Sequence, residues 1–123
     1  SSAASDVYKR QVVLYLGVLY HMRHPLLALE RLRRVTGRVA IIESQATFLP
    51  GLEEMSLAEF FERDQLNRDY TNWWAPNLAA LVALCRAAGF ARVEVQRRAP
   101  REWDDLPTGS EPVAYRAVVH ALV

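Results

Sequence analysis

The sequence has a single cysteine, Cys85, in 123 residues. One thiol closes no internal disulfide, and no cysteine-histidine spacing suggests a structural zinc site. A reducing cytoplasm is therefore the expected setting. Long hydrophobic runs are also missing. No stretch approaches the roughly 20 apolar residues that cross a bilayer, and the N-terminus lacks the charged-then-apolar layout of a signal peptide. No membrane contact is expected. Charge of one sign is nearly absent, since 15 Lys and Arg against 14 Asp and Glu leave a formal net charge of +1. No global field then points to nucleic acid, and any basic patch must arise from local clustering. Internal repeats and low-complexity tracts are absent as well.

What is present has the balance of a soluble globular domain: 51% of residues are hydrophobic and 24% charged. The length allows one domain at most. Residues Ser1 to Gln11, SSAASDVYKRQ, are small, polar and aperiodic. They resemble a translated sequencing-adaptor remnant and are set apart from a folded segment spanning residues 12–123.

Val12 to Leu16, VVLYL, is a short continuous apolar run ended by Gly17, which predicts a buried strand. Pro25 suits the first turn of a helix with Leu26, Leu29, Leu32 and Val35 at three-residue steps, and Gly37 is the expected stop. Arg38 to Glu43 then reads as a second strand, so the pair implies a parallel crossover. Ser56-Leu57-Ala58-Glu59 fits a capping box opening a brief helix through Phe60 and Phe61. A longer helix is expected from near Pro76 to Gly89. Arg92 to Gln96 alternates as a half-exposed edge strand, and Val113 to Val123 suits the sheet interior. With no helix between them, these last two strands predict an antiparallel pair.

The segments VVLYLGVLYHMRHP, LLALERLRRVT and RVAIIESQ, with the later TNWWAPNLAALVALCRAAGF, carry a family likeness. In this order they resemble the C-terminal half of class I S-adenosylmethionine-dependent methyltransferases. The likeness is nearest to the tRNA wobble-uridine carboxymethyltransferase and methoxyuridine methyltransferase family, and it covers nearly everything after Gln11. It implies an α/β, Rossmann-like methyltransferase fold, with a mostly parallel sheet and an antiparallel last strand. Val113 to Val123 would lie between the strands at Arg38 to Glu43 and Arg92 to Gln96. The glycine-rich turn and the acidic strand end that hold methionine and ribose in that family have no counterpart here, and the resemblance places them upstream.

In such open sheets the ligand lies across the carboxyl ends of the strands. The resemblance then implies cofactor contacts from Leu16, Gly17 and Tyr20, with Tyr20 and His21 as catalytic candidates that orient or deprotonate an acceptor hydroxyl. Arg116 matches an arginine that binds the extra carboxylate of carboxy-S-adenosylmethionine, so the donor is S-adenosylmethionine or that carboxylated form. An ion pair of Arg116 with Glu43 is the competing reading. Asn72, Trp73 and Trp74 suit a substrate lid for a nucleobase or small aromatic acceptor, or a hydrophobic plug before a helix.

His21 and His24 lack a third ligand at a telling spacing, so no metal is expected. His120 reads as a packed strand residue. Arg31, Arg33, Arg34 and Arg38 form a basic cluster that fits a solvated helix face better than a phosphate site. The acceptor is then tRNA or a small molecule. A non-catalytic binding domain of the same fold is the reading from a different class.

Overall fold

The computed structural model describes residues 9–123. Strand β1 (Arg10–Leu16) turns at Gly17 into a short 3-10 turn, Leu19–His21, which leads to helix α1 (Pro25–Val35) and strand β2 (Thr36–Phe48). Strands β1 and β2 are parallel, in a register that sets Val13 beside Ala40 and Leu16 beside Glu43. Of the segment Ser1 to Gln11 expected to be foreign to the fold, residues 1–8 lie outside the described residues, whereas Arg10 and Gln11 belong to β1.

The helix start agrees with the sequence, with Pro25 in the first turn. Its end does not depend on Gly37. Helix α1 passes straight into β2 at Thr36, whose hydroxyl donates to the Leu32 carbonyl at 2.7 Å and so satisfies a helix-end acceptor. Gly37 is already inside the strand. A Cβ there would meet the Arg10 carbonyl oxygen at 3.0 Å, so glycine permits close approach beside the irregular start of β1. Of the expected apolar stripe, Leu29 and Leu32 are buried while Leu26 and Val35 are exposed.

Two short strands follow, β3 (Ala58–Phe60) and β4 (Trp74–Pro76), paired antiparallel with Phe60 beside Trp74. The brief helix expected from the capping box is absent. Glu59 instead accepts a hydrogen bond from the Thr47 hydroxyl, and Leu57 exchanges bonds with Asn77. The segment is thereby drawn out along β4. Helix α2 (Leu78–Ala87) begins two residues later than expected, capped by the Asn77 side chain accepting from the Ala80 N–H at 2.9 Å. Gly89, at φ +112°, follows it as predicted.

Strands β5 (Arg92–Arg97) and β6 (Val113–Leu122) complete a sheet of order β1-β2-β6-β5. The expected central place of the last strand is found, and so is its antiparallel pairing with β5. The expectation of a mostly parallel sheet holds only in part. Strand β6 runs against both neighbours, so β1 with β2 is the one parallel pairing of the three. Strand β2 also outlasts its apolar run, because β6 pairs with it from Val39 to Phe48.

The core joins Leu19, Leu29 and Leu32 to Ile42, Leu81, Cys85, Phe90 and Val119. On β6, Ala117, Val119 and Ala121 point to one face, the period-two alternation of a strand. Strand β1 departs from the buried strand expected. Val12, Leu14 and Leu16 are 45%, 64% and 49% exposed, while Val13 and Tyr15 pack against the core. Only one face is covered, and no strand lies beyond β1 among the described residues.

Candidate active site

The turn after β1 builds the site. Gly17 adopts φ +68°, a backbone conformation that favours glycine, and its N–H donates to the Glu43 carbonyl at 3.0 Å. The 3-10 turn that follows buries Leu19 and Tyr20 and presents His21 part-exposed. Leu16 to His21 thus sit at the carboxyl end of the parallel pair.

Arg116 reaches this turn from β6. Its guanidinium lies 5.2 Å from the Tyr20 ring centre, within cation-π range, and its Nη1 is 3.6 Å from Glu43 Oε1. A Cβ on Gly17 would stand 3.7 Å from Arg116 Nη1 and 3.8 Å from the Tyr20 hydroxyl. Four residues from three segments therefore converge: Gly17, Tyr20, Glu43 and Arg116. The Arg116–Glu43 ion pair read from the sequence is formed.

His21 stacks on Tyr20, ring centres 4.3 Å apart, and turns its Nδ1 to Thr71. Nδ1 is 2.9 Å from the Thr71 carbonyl oxygen and 3.2 Å from its hydroxyl. Asp69 Oδ1 in turn accepts from the Thr71 hydroxyl at 2.6 Å and from its N–H at 2.8 Å. Those two bonds, the hydroxyl's first, hold the Asp69 carboxyl below its ordinary range, with nearby His21 adding to the effect. Thr71 and Asp69 were missed in the sequence, where the only local signal is a short Asp-x-Thr turn next to the tryptophans.

Trp73 is tied to the same turn, its N–H donating to the Tyr20 carbonyl at 3.0 Å. The Arg23 guanidinium lies 4.7 Å from the Trp73 ring centre. Arg23, Pro25, Phe60, Trp73 and Trp74 line an open slot of about 400 Å3. Trp74 and Asn72 are buried, the latter donating to the Leu66 carbonyl at 2.8 Å. Trp74 Nε1 and Asn72 Oδ1 have no hydrogen-bond partner among the described residues. A second cavity, of about 480 Å3, lies between β2, α2 and β6, with Phe48, Val82, Arg98 and Tyr115 in its wall. Burial there pushes the Tyr115 phenol up, against a smaller opposing effect of Arg98.

The remaining candidates lie apart. His24 occupies the N-cap position of α1 without a side-chain capping bond. Arg33 donates to the Gly89 carbonyl at 3.2 Å, which ties α1 to the end of α2, and Arg31, Arg34 and Arg38 face solvent. No helix among the described residues is long and apolar enough to cross a membrane.

No protein-family model matches the chain, and no curated protein matches it. Among solved structures, it is similar to the N-terminal domain of EvdMO1 with SAH bound, at 21% identity and TM-score 0.59, over 100% of this chain and 50% of that one. The same domain in the presence of SAH and D-fucose matches at 22% identity and TM-score 0.57, over 97% and 50%. EvdMO1 itself matches at 21% and TM-score 0.54, with 23% of its length covered. The chain thus spans half or less of the length of these neighbours. At this identity the likeness concerns the fold alone.

Proposed function

We propose that this chain contributes to an S-adenosylmethionine-dependent methyltransferase that acts on a hydroxyl group. The observation that carries the reading is the convergence of Gly17, Tyr20, Glu43 and Arg116 at the carboxyl end of β1, beside His21. Its fold likeness to a domain crystallised with SAH supports the choice of donor, since SAH is what remains of S-adenosylmethionine after methyl loss.

The residues fit that donor. The backbone at Gly17 carries no Cβ, and the nearest side-chain atoms are the movable ends of Arg116 and Tyr20. Leu16 supplies exposed apolar surface, and Glu43 a carboxylate for a cationic group. When bound, S-adenosylmethionine supplies a methyl group already activated on a sulfonium, so positioning replaces a protein nucleophile. Tyr20 orients the acceptor oxygen. His21 takes its proton as the new carbon–oxygen bond forms and the carbon–sulfur bond breaks.

The slot between Phe60 and Trp73 suits a compact ring, and aromatic faces bind such rings well. The neighbour crystallised in the presence of D-fucose supports a small hydroxylated acceptor. The tRNA wobble uridine and the carboxylated donor rest on the sequence resemblance. Transfer of labelled methyl from S-adenosylmethionine, assayed against monosaccharides and against tRNA, tests the reading. Labelled small acceptor supports it, label in tRNA alone replaces the acceptor, and absence of donor binding by calorimetry in the complete protein that contains this chain overturns it.

A further inference from the structure

Thr71 offers His21 two oxygen atoms, and the proton on one of them is already engaged. The carbonyl oxygen, 2.9 Å from Nδ1, accepts only. The hydroxyl oxygen, 3.2 Å from Nδ1, directs its single hydrogen to Asp69 Oδ1 at 2.6 Å, so toward the histidine it too is an acceptor. Two acceptors facing one ring nitrogen require a hydrogen on that nitrogen. A neutral imidazole carries one hydrogen, which leaves Nε2 with its lone pair.

We propose that Asp69 and Thr71 are positioning residues that hold neutral His21 as the Nδ1–H tautomer and so direct a basic Nε2 toward the acceptor. The inference rests on the methyl-transfer reading only for the use made of Nε2; the tautomer itself is a property of the chain. Asp69 acts on the backbone as well as on the hydroxyl. By accepting from the Thr71 N–H at 2.8 Å it fixes the peptide turn whose carbonyl meets His21. The same turn continues to Trp73, which bonds to Tyr20, so the histidine is clamped from both sides of the 3-10 turn.

The test is the ring-nitrogen NMR spectrum of the 15N-labelled chain at about pH 8.5, roughly two units above the ordinary imidazole range. A three- to tenfold excess of the Nδ1–H form is expected, roughly the ratio one net hydrogen bond sets. Thr71→Val and Asp69→Ala should reduce that excess by a similar factor, and Thr71→Ser, which keeps the hydroxyl, should restore it. A dominant Nε2–H form in the unaltered chain overturns the proposal, as does an unchanged ratio in both variants. If a variant fails to fold, the spectrum of the unaltered chain and of Thr71→Ser still decides. Failure of methyl transfer with the expected tautomer present would sink the proposed function and leave the Asp69–Thr71–His21 arrangement standing.

Discussion

Arg116 pairs with Glu43 across a diagonal of the sheet: their nitrogen and oxygen are 3.6 Å apart, yet in the β2–β6 register Glu43 faces Val118 and Arg116 faces Gln45. Both side chains are partly exposed, so the pair contributes at most about 1 kcal/mol to folding. Arg116→Met should therefore shift urea unfolding by no more than about that amount. A loss several times larger would mean that the guanidinium has a structural role beyond this ion pair.

The same contact bears on the donor. A carboxylate brought to Arg116 would approach Glu43 as well, and like charges at close range oppose each other. Ordinary S-adenosylmethionine is expected to bind at least as well as its carboxylated form. Glu43→Gln should move the ratio toward the carboxylated donor by up to about tenfold, measured by paired calorimetric titrations. A strong preference for the carboxylated donor in the unaltered protein would restore the clamp reading for Arg116.

Phe60 and Trp74 separate binding from packing. Trp74 belongs to the core, so Trp74→Ala should cost roughly 3–5 kcal/mol in thermal or urea unfolding. Phe60 is 68% exposed at the slot, so Phe60→Ala should change stability by less than about 0.5 kcal/mol while weakening acceptor binding. Unchanged acceptor affinity in Phe60→Ala would place the acceptor elsewhere.

Burial pushes the Cys85 thiol up to about 12 from an ordinary 9.0. Unfolded chains then lose this proton more easily than folded ones. The contribution to stability is complete below pH 9.0 and declines as pH rises toward about 12. Disulfide reagents at pH 8 should accordingly label Cys85 only as fast as the chain opens, which a comparison of labelling rates with and without urea measures. Rapid labelling of the folded chain would contradict this burial.

Strand β1 presents Val12, Leu14 and Leu16 on an uncovered face, and its outer edge has no pairing strand among the described residues. Exposed apolar edges promote association. Sedimentation should show concentration-dependent self-association of the chain, reduced in Leu14→Lys at little cost in stability. A monomer at every concentration would show that the face is tolerated as it stands.

Several elements were readable because local periodicity and packing agree. The apolar run that puts β6 inside the sheet, the Pro25 start of α1 and the Gly89 turn each express one local rule. Exposure of β1 was not readable, since VVLYL has the composition for two covered faces and only the tertiary arrangement decides how many are covered. The capping-box pattern at Ser56 failed because Thr47, twelve residues away, takes Glu59. At the candidate site, Tyr20 and His21 follow from the family resemblance alone, whereas the pairing of Arg116 with Glu43 was readable from the need of a guanidinium in an apolar strand for an anionic partner. Thr71 lies 50 residues from His21, and nothing local announces that meeting.

The junction of α1 with β2 has no slack. Val35 ends the helix and Thr36 opens the strand, so the helical screw passes directly into an alternating ribbon. Removing one residue there leaves no loop to absorb the change: either the helix unwinds, or β2 turns over and trades its inner for its outer side chains. Ile42 would then leave the core and Glu43 enter it. The phase of that single joint decides whether a carboxylate faces the candidate site or the hydrophobic interior.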